Sequence, residues 1–300
     1  MVRLVADWIE RGVLRLGPAG FVLRPGEAIT VPDGLHEVWK GVIGGLVAGL
    51  PPRALRALWC AAVLGTAVST DDWTAIIGDP AICAELVERM QAWRLAEPTP
   101  TGWRFAHGML RESLLRDAEE AGRLPRIHAA CARRLEKRAS EPGIAERLGT
   151  HLLAAGQIEA ALGPLMHGVY EREETMGVRS ALALYAVHER AMESLNLPPS
   201  DPRFADVWLR RADLYRGQGE FLQARQLLER VREGWTKYGW KPNPTVLFFL
   251  CSTRHGFGDV GPSYEALFDE WKPLVEASGD PIAIGKYWYQ HSNGRPAAQR

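Results

Sequence analysis

Two segments of the chain carry the same spacing of small and apolar residues around a glycine, and that spacing restricts the region holding them to paired helices. The first reads Gly149, Leu152, Gly156, Ala161, Leu165; the second, 63 residues on, reads Ala212, Tyr215, Gly219, Ala224, Leu228. Each has a small residue seven before the central Gly, an apolar residue four before it, Ala five after it and Leu nine after it. Small residues let two helices approach closely, and the Gly makes the turn between them. Such a hairpin buries its apolar face only by stacking on a neighbour.

A third unit turns at Gly258-Asp259, with Leu250, Tyr264, Leu267, Phe268 and Trp271 as packing residues and Ser263 in place of the small Ala. Between the first two lies a further helix, Arg179 to Leu195, which ends at the proline-rich connection Asn196 to Pro202. Asp280 to Tyr289 reads as one more first helix with no second helix to pair with, so the array is expected to be incomplete and Trp288 to be exposed.

Before residue 140 the pattern changes. Leu4, Val5, Trp8 and Ile9 form a helical stripe ended by Gly12. Two short apolar runs around Gly17-Pro18-Ala19-Gly20 read as a β-hairpin, and Pro32-Asp33 opens a helix carrying Leu35, Val38, Val42, Ile43 and Leu46. The first boundary falls at Gly49-Leu50-Pro51-Pro52. Beyond it the order is helix (Ala54 to Leu64), helix (Thr70 to Ile77), helix (Ala81 to Trp93), hairpin (Leu95 to Glu97 with Trp103 to Phe105), helix (His107 to Ala121) and helix (Pro125 to Ala139). Ser69 or Thr70 with Asp71-Asp72 supplies a cap and an acidic first turn ahead of Trp73. Three short helices with a hairpin make a winged-helix arrangement.

The expected fold class is therefore mainly α: a winged-helix domain followed by an α-solenoid of helical hairpins, with two short β-hairpins. The divisions are residues 1–49, 50–140 and 141–300.

Charge says little in favour of a polyanionic partner. The 36 Lys and Arg balance 36 Asp and Glu, which leaves no whole-protein field to draw nucleic acid or an anionic membrane. A DNA-reading third helix should be basic, yet Ala81 to Trp93 sets Glu85 and Glu88 against Arg89. The basic cluster Arg133, Arg134, Lys137, Arg138 sits on a later helix, where it reads as a solvated or interdomain face. Cys60, Cys83, Cys131 and Cys251 are too far apart for a zinc site and read as buried thiols. The eight His are scattered, with none at a two-His ligand spacing. No metal and no membrane partner is expected, and the chain reads as cytoplasmic, without a signal sequence or a spanning segment.

The segment Phe105-Ala106-His107-Gly108-Met109-Leu110-Arg111 resembles the end of the winged helix in signal-transduction ATPases with numerous domains, the STAND class. There a hydrophobe-His-Asp pattern followed by Leu and Arg opens the helix after the wing. Leu50-Pro51-Pro52 through Gly65 resembles the first helix of that domain. Residues 1–47 look like the tail of the nucleotide-binding module, its helical lid and hairpin, and residues 144–290 resemble tetratricopeptide-like repeats. The whole is similar to the C-terminal half of large bacterial regulators that join a serine/threonine kinase, such an ATPase and repeats.

The resemblance implies that His107, with Arg111, senses the phosphates of bound ADP. Gly108 stands where the class has Asp, and Ala106 where it has a larger apolar residue. The phosphate loop is missing: the only Gly-Lys pair, Gly285-Lys286, has Asp280 at the first Gly position and Tyr287 at the metal-binding hydroxyl position. No kinase loop is present. The chain is therefore expected to bind ATP weakly or not at all by itself, to carry no cofactor such as the class's ATP or ADP, and to be no enzyme.

The expected function is a non-catalytic regulatory segment whose repeats bind a protein or peptide, with the winged helix coupling that event to an ATPase. First helices of such repeats line the concave surface, which nominates Leu209, Asp213 and Arg216 as groove residues. The alternatives are a winged-helix DNA-binding regulator and an ATPase completed by a missing N-terminal phosphate loop.

Overall fold

The computed structural model describes residues 14–17, 20–23, 33–175, 177–256 and 262–294, with side chains described over 38–175, 177–253 and 265–292. The helix expected at Leu4 to Ile9 and the turn expected at Gly258-Asp259 lie outside the described residues. The chain divides into two units, residues 1–140 with 150–157, and residues 141–149 with 158–300.

In the first unit β1 (Leu14–Gly17) and β2 (Gly20–Leu23) form the expected antiparallel hairpin. Next come α1 (Asp33–Val47), α2 (Arg53–Leu64), β3 (Ala67–Ser69), α3 (Thr70–Ile77), α4 (Pro80–Ala92), β4 (Ala96–Thr99), β5 (Gly102–Phe105), α5 (Gly108–Glu120) and α6 (Leu124–Glu136). Ser69 starts α3 as its sequence suggests, accepting the Asp72 amide on its hydroxyl at 3.3 Å. Asp79 does the same for α4 through the Ile82 amide at 3.1 Å.

The second hairpin is not two-stranded. Ala67–Ser69 joins it as a third strand in the order β3-β5-β4, pairing Ala67 with Arg104, Val68 with Trp103 and Ser69 with Gly102. Three residues are too few to show an alternating pattern, so only the nearby β5 edge identifies them as a strand. Gly102 is required at that edge, because a side chain there would run into the backbone of Val68 and Thr70.

Helix α2 is the axis of this unit. Ala54, Ala57, Cys60, Ala61 and Ala62 are buried along it, and their small volume lets α3, α4, α5 and α6 all pack against it. Trp73 donates its indole N–H to the Ala57 carbonyl at 2.7 Å, which makes burial of that ring favourable. Trp103 then packs edge-on against Trp73 and Phe105, with centroids 5.4 and 4.9 Å away.

The helical hairpins follow as α7 (Ile144–Ala154), α8 (Ile158–Thr175), α9 (Val178–Ser194), α10 (Pro202–Gly217), α11 (Phe221–Lys237), α12 (Pro244–Gly256), α13 (Pro262–Ser278) and α14 (Pro281–Gly294). Residues 144–149 of α7 belong to the second unit and 150–154 to the first. Gly156 and Gly219 both turn with φ +76°, in the left-handed region. The small residue seven positions earlier does what the spacing implies: a Cβ on Gly149 would lie 2.7 Å from the Leu165 Cγ. One turn away, Gly168 lies against Glu146, whose carboxylate also takes two hydrogen bonds from Arg172 at 2.5 and 2.6 Å.

Further along, α12 packs on α10, and α14 packs on both α12 and α13. Trp271 is buried there among Phe248, Phe268 and Tyr287. On α14, Tyr287 turns inward while Trp288 and Tyr289 remain more than half exposed.

Candidate functional site

His107 is the residue before α5, extended at φ −128° and ψ 115°. Its ring is exposed, lies 6.0 Å from the Trp39 ring of α1, and makes no capping hydrogen bond. Arg111, one turn later, folds back into the unit and donates from Nε to the Ala62 carbonyl at 2.9 Å. Ala62 is in the last turn of α2, where carbonyls have no partner within their own helix. The two residues grouped by resemblance thus do different work: Arg111 closes a helix end, and His107 stands at the surface.

Replacing Arg111 with alanine is accordingly expected to destabilise the unit by about 1–2 kcal/mol, the cost of an orphaned, half-buried carbonyl. His107→Ala should stay within about 0.5 kcal/mol, as surface substitutions do. Urea unfolding followed by tryptophan fluorescence separates the two, and equal losses would refute this division.

The other nominated residues share one stripe of α10 at i, i+4 and i+7. Leu209 is half-buried in a cleft of about 410 Å³ with Ala205, Asp206, Trp235, Trp240 and Pro242. Asp213 is exposed and pairs with Arg216 at 2.6 Å. The Arg216 guanidinium also lies 4.6 Å from the centre of the Phe249 ring on α12. Neither Asp213 nor Arg216 lines the Leu209 cleft. The stripe therefore divides into an apolar cleft and a charged pair that ties α10 to α12.

The basic cluster departs from the solvated face its sequence suggests. Arg134 and Arg138 reach the carboxylate of Asp72, at 2.8 and 2.6 Å, and Asp72 is only 1% exposed. Two of the four cations are thus committed to a buried carboxylate, because a charge removed from water must be paired. Helix α4, the third helix expected from the sequence to read DNA in the alternative reading, exposes Glu85 and Glu88. Its Arg89 is held by Glu85 at 2.9 Å and by the carbonyls of Leu46 and Ala48.

Two histidines far apart in sequence meet in the first unit: the Nδ1 atoms of His128 and His151 lie 2.9 Å apart. Burial pushes His128 below the usual histidine range, which favours a neutral ring that can share one proton with its neighbour. In the second unit burial also lowers His188, whose ring is hydrogen-bonded to the Leu162 backbone. Tyr185 is raised by burial and then by its neighbour Glu173.

No protein-family model matches the chain, and no curated protein matches it. Among solved structures it is similar to a STAND protein with a tetratricopeptide repeat sensor from Pyrococcus horikoshii, at 13% identity and a TM-score of 0.49. That match covers 90% of this chain but only 38% of the other. It is also similar to nearly identical TPR-like repeats from Podosopora anserina. One such structure is 14% identical with a TM-score of 0.28, covering 59% of this chain and 83% of that one. Another is 16% identical with a TM-score of 0.23, covering 65% and 100%.

Proposed function

We propose that this chain is a non-catalytic regulatory and protein-interaction segment of a STAND-type signalling ATPase, with tetratricopeptide-like repeats that bind a protein or peptide. The observation that carries this reading is the repeated turn, with Gly156 and Gly219 alike in the left-handed region, together with the Gly149–Leu165 contact, whose residue spacing the second segment shares. Such arrays build extended surfaces from their first helices. The order α2-β3-α3-α4-β4-β5 supports reading residues 50–140 as a winged helix, with residues 1–49 as the remnant of a lid and residues 141–300 as the repeat array.

Coupling would act by population shift: a partner that prefers one arrangement of repeats and winged helix biases the nucleotide module of the parent protein. The His107 ring, exposed and without a capping hydrogen bond, is open to meet that module. The chain itself contributes no cofactor site to this scheme and works in the cytoplasm.

The test is partner capture. A discrete partner retained by the wild-type chain should be lost by Leu209→Glu combined with Asp213→Lys, with the circular dichroism spectrum unchanged. Equal capture by the variant would overturn the groove assignment. Phosphate release from ATP by the purified chain would overturn the non-catalytic reading.

A further inference from the structure

A cavity of about 660 Å³ opens in the first unit where the N-terminal turns of α2 and α6 meet the end of α3. Five arginines line it: Arg53 and Arg56 on α2, Arg123 and Arg126 at the start of α6, and Arg133 two turns further on. Its remaining wall is apolar, formed by Trp59, Cys60, Ile76, Ile77 and Ile127 with small residues between them. No carboxylate, hydroxyl or amide side chain belongs to the lining.

The arginines are largely uncommitted. Arg53 pairs with Asp79 at 2.8 Å yet keeps a side chain 62% exposed. Arg56, Arg123, Arg126 and Arg133 are exposed and have no carboxylate partner among the described residues. Contrast Arg134, the sequence neighbour of Arg133, which is taken up by Asp72. The two helices that begin at the cavity add to the same field. Pro52 and Arg123 precede them without a side-chain cap, and neither first turn contains an acidic residue. With no acidic residue in either first turn, the positive ends of the two helix dipoles are left uncompensated beside the guanidinium groups.

We propose that this cavity is a binding site for a small organic anion carrying phosphate groups, taken without a metal ion. Guanidinium groups bind phosphate oxygens bidentately, and several around one concavity focus their field on its interior. The volume is that of a small-ligand site. The Trp59 and isoleucine wall accommodates a carbon skeleton, while Arg126 and Arg133, seven residues apart on one face of α6, hold the charged end. The lining has no oxygen ligand for Mg²⁺, so the site differs in kind from a magnesium-nucleotide pocket. A duplex instead needs cations spread along an accessible face that follows the phosphate backbone.

Calorimetric titration of the full chain with inorganic tripolyphosphate, without divalent metal, tests the proposal. One saturable site is expected, weakened at least about tenfold in Arg126→Glu/Arg133→Glu and unchanged in Arg179→Glu, an exposed arginine outside the cavity. If the charge-reversed pair does not fold, Arg126→Gln/Arg133→Gln serves, with the same direction of effect. Absence of binding, binding unaffected by the cavity substitutions, or equal weakening by Arg179→Glu would overturn the proposal. Tighter binding of a short DNA duplex or an oligoglutamate peptide than of tripolyphosphate would also overturn it, by assigning the arginines to a macromolecule.

Discussion

Asp72→Ala should destabilise the first unit by about 3–5 kcal/mol, the range for breaking a buried ion pair from one side. The carboxylate is 1% exposed and receives Arg134 and Arg138 at 2.8 and 2.6 Å. Its removal takes the shared carboxylate from two guanidinium groups that are each only 29% exposed. Their remaining access to water places the expected loss toward the lower end of that range. Arg134→Ala should cost less, because Arg138 still neutralises the carboxylate. The two losses should not add, since both substitutions act on one network. Thermal unfolding followed by near-ultraviolet circular dichroism measures each change. A loss under 1 kcal/mol for Asp72→Ala would show that the triad does not hold α6 to α3.

The second large effect is expected at Gly149. Its absent Cβ would fall 2.7 and 2.8 Å from the Leu165 Cγ and Cδ2, and 3.0 Å from the Leu165 backbone nitrogen. Gly149→Val would force α7 away from α8 or drive Leu165 off its rotamer. The expected cost is about 3 kcal/mol, the upper part of the overpacking range. Leu165 is fully buried, and Leu165→Ala alone should cost about 2–5 kcal/mol through the cavity it leaves. The double variant should be less damaged than the sum of the two, because the valine methyls occupy part of that cavity. Additive losses in a double-mutant cycle would show that the two residues do not share one contact. The Gly–Leu spacing would then have no packing meaning.

Some of the molecule was legible because its signals are local. Ser69 caps α3 as the Ser-Thr-Asp-Asp run suggests, and the hairpin turns at Gly156 and Gly219 follow from residues within one hairpin. Helix α9, expected over Arg179 to Leu195, spans Val178–Ser194, and Asn196 beyond it takes a left-handed φ of +51°. Other features had no local signal. The strand Ala67–Ser69 acquires its identity from β5, more than thirty residues later. Asp72 looked like an acidic first turn, whereas its carboxylate meets cations 62 and 66 residues away.

The candidate sites divide in the same way. His107 and Arg111 could be singled out together, but only packing shows that Arg111 is spent on the Ala62 carbonyl while His107 stays exposed. Leu209, Asp213 and Arg216 do share a helix face, yet Phe249 draws Arg216 out of the stripe toward α12. The arginine cavity was hidden because Arg53 and Arg56 are separated from Arg123, Arg126 and Arg133 by some seventy residues. In sequence Arg53 with Arg56 and Arg123 with Arg126 are ordinary i, i+3 doublets, and Arg133 follows two turns after the second.

By itself the sequence determined most helix positions among the described residues and the glycine turns at Gly156 and Gly219, because capping, glycine turns and apolar period act over a few residues. Only the tertiary structure decided which charges are paired and which remain free. Ion pairing depends on distances between segments remote in the chain, and the same arginine is structural beside Asp72 but unpartnered at a cavity rim.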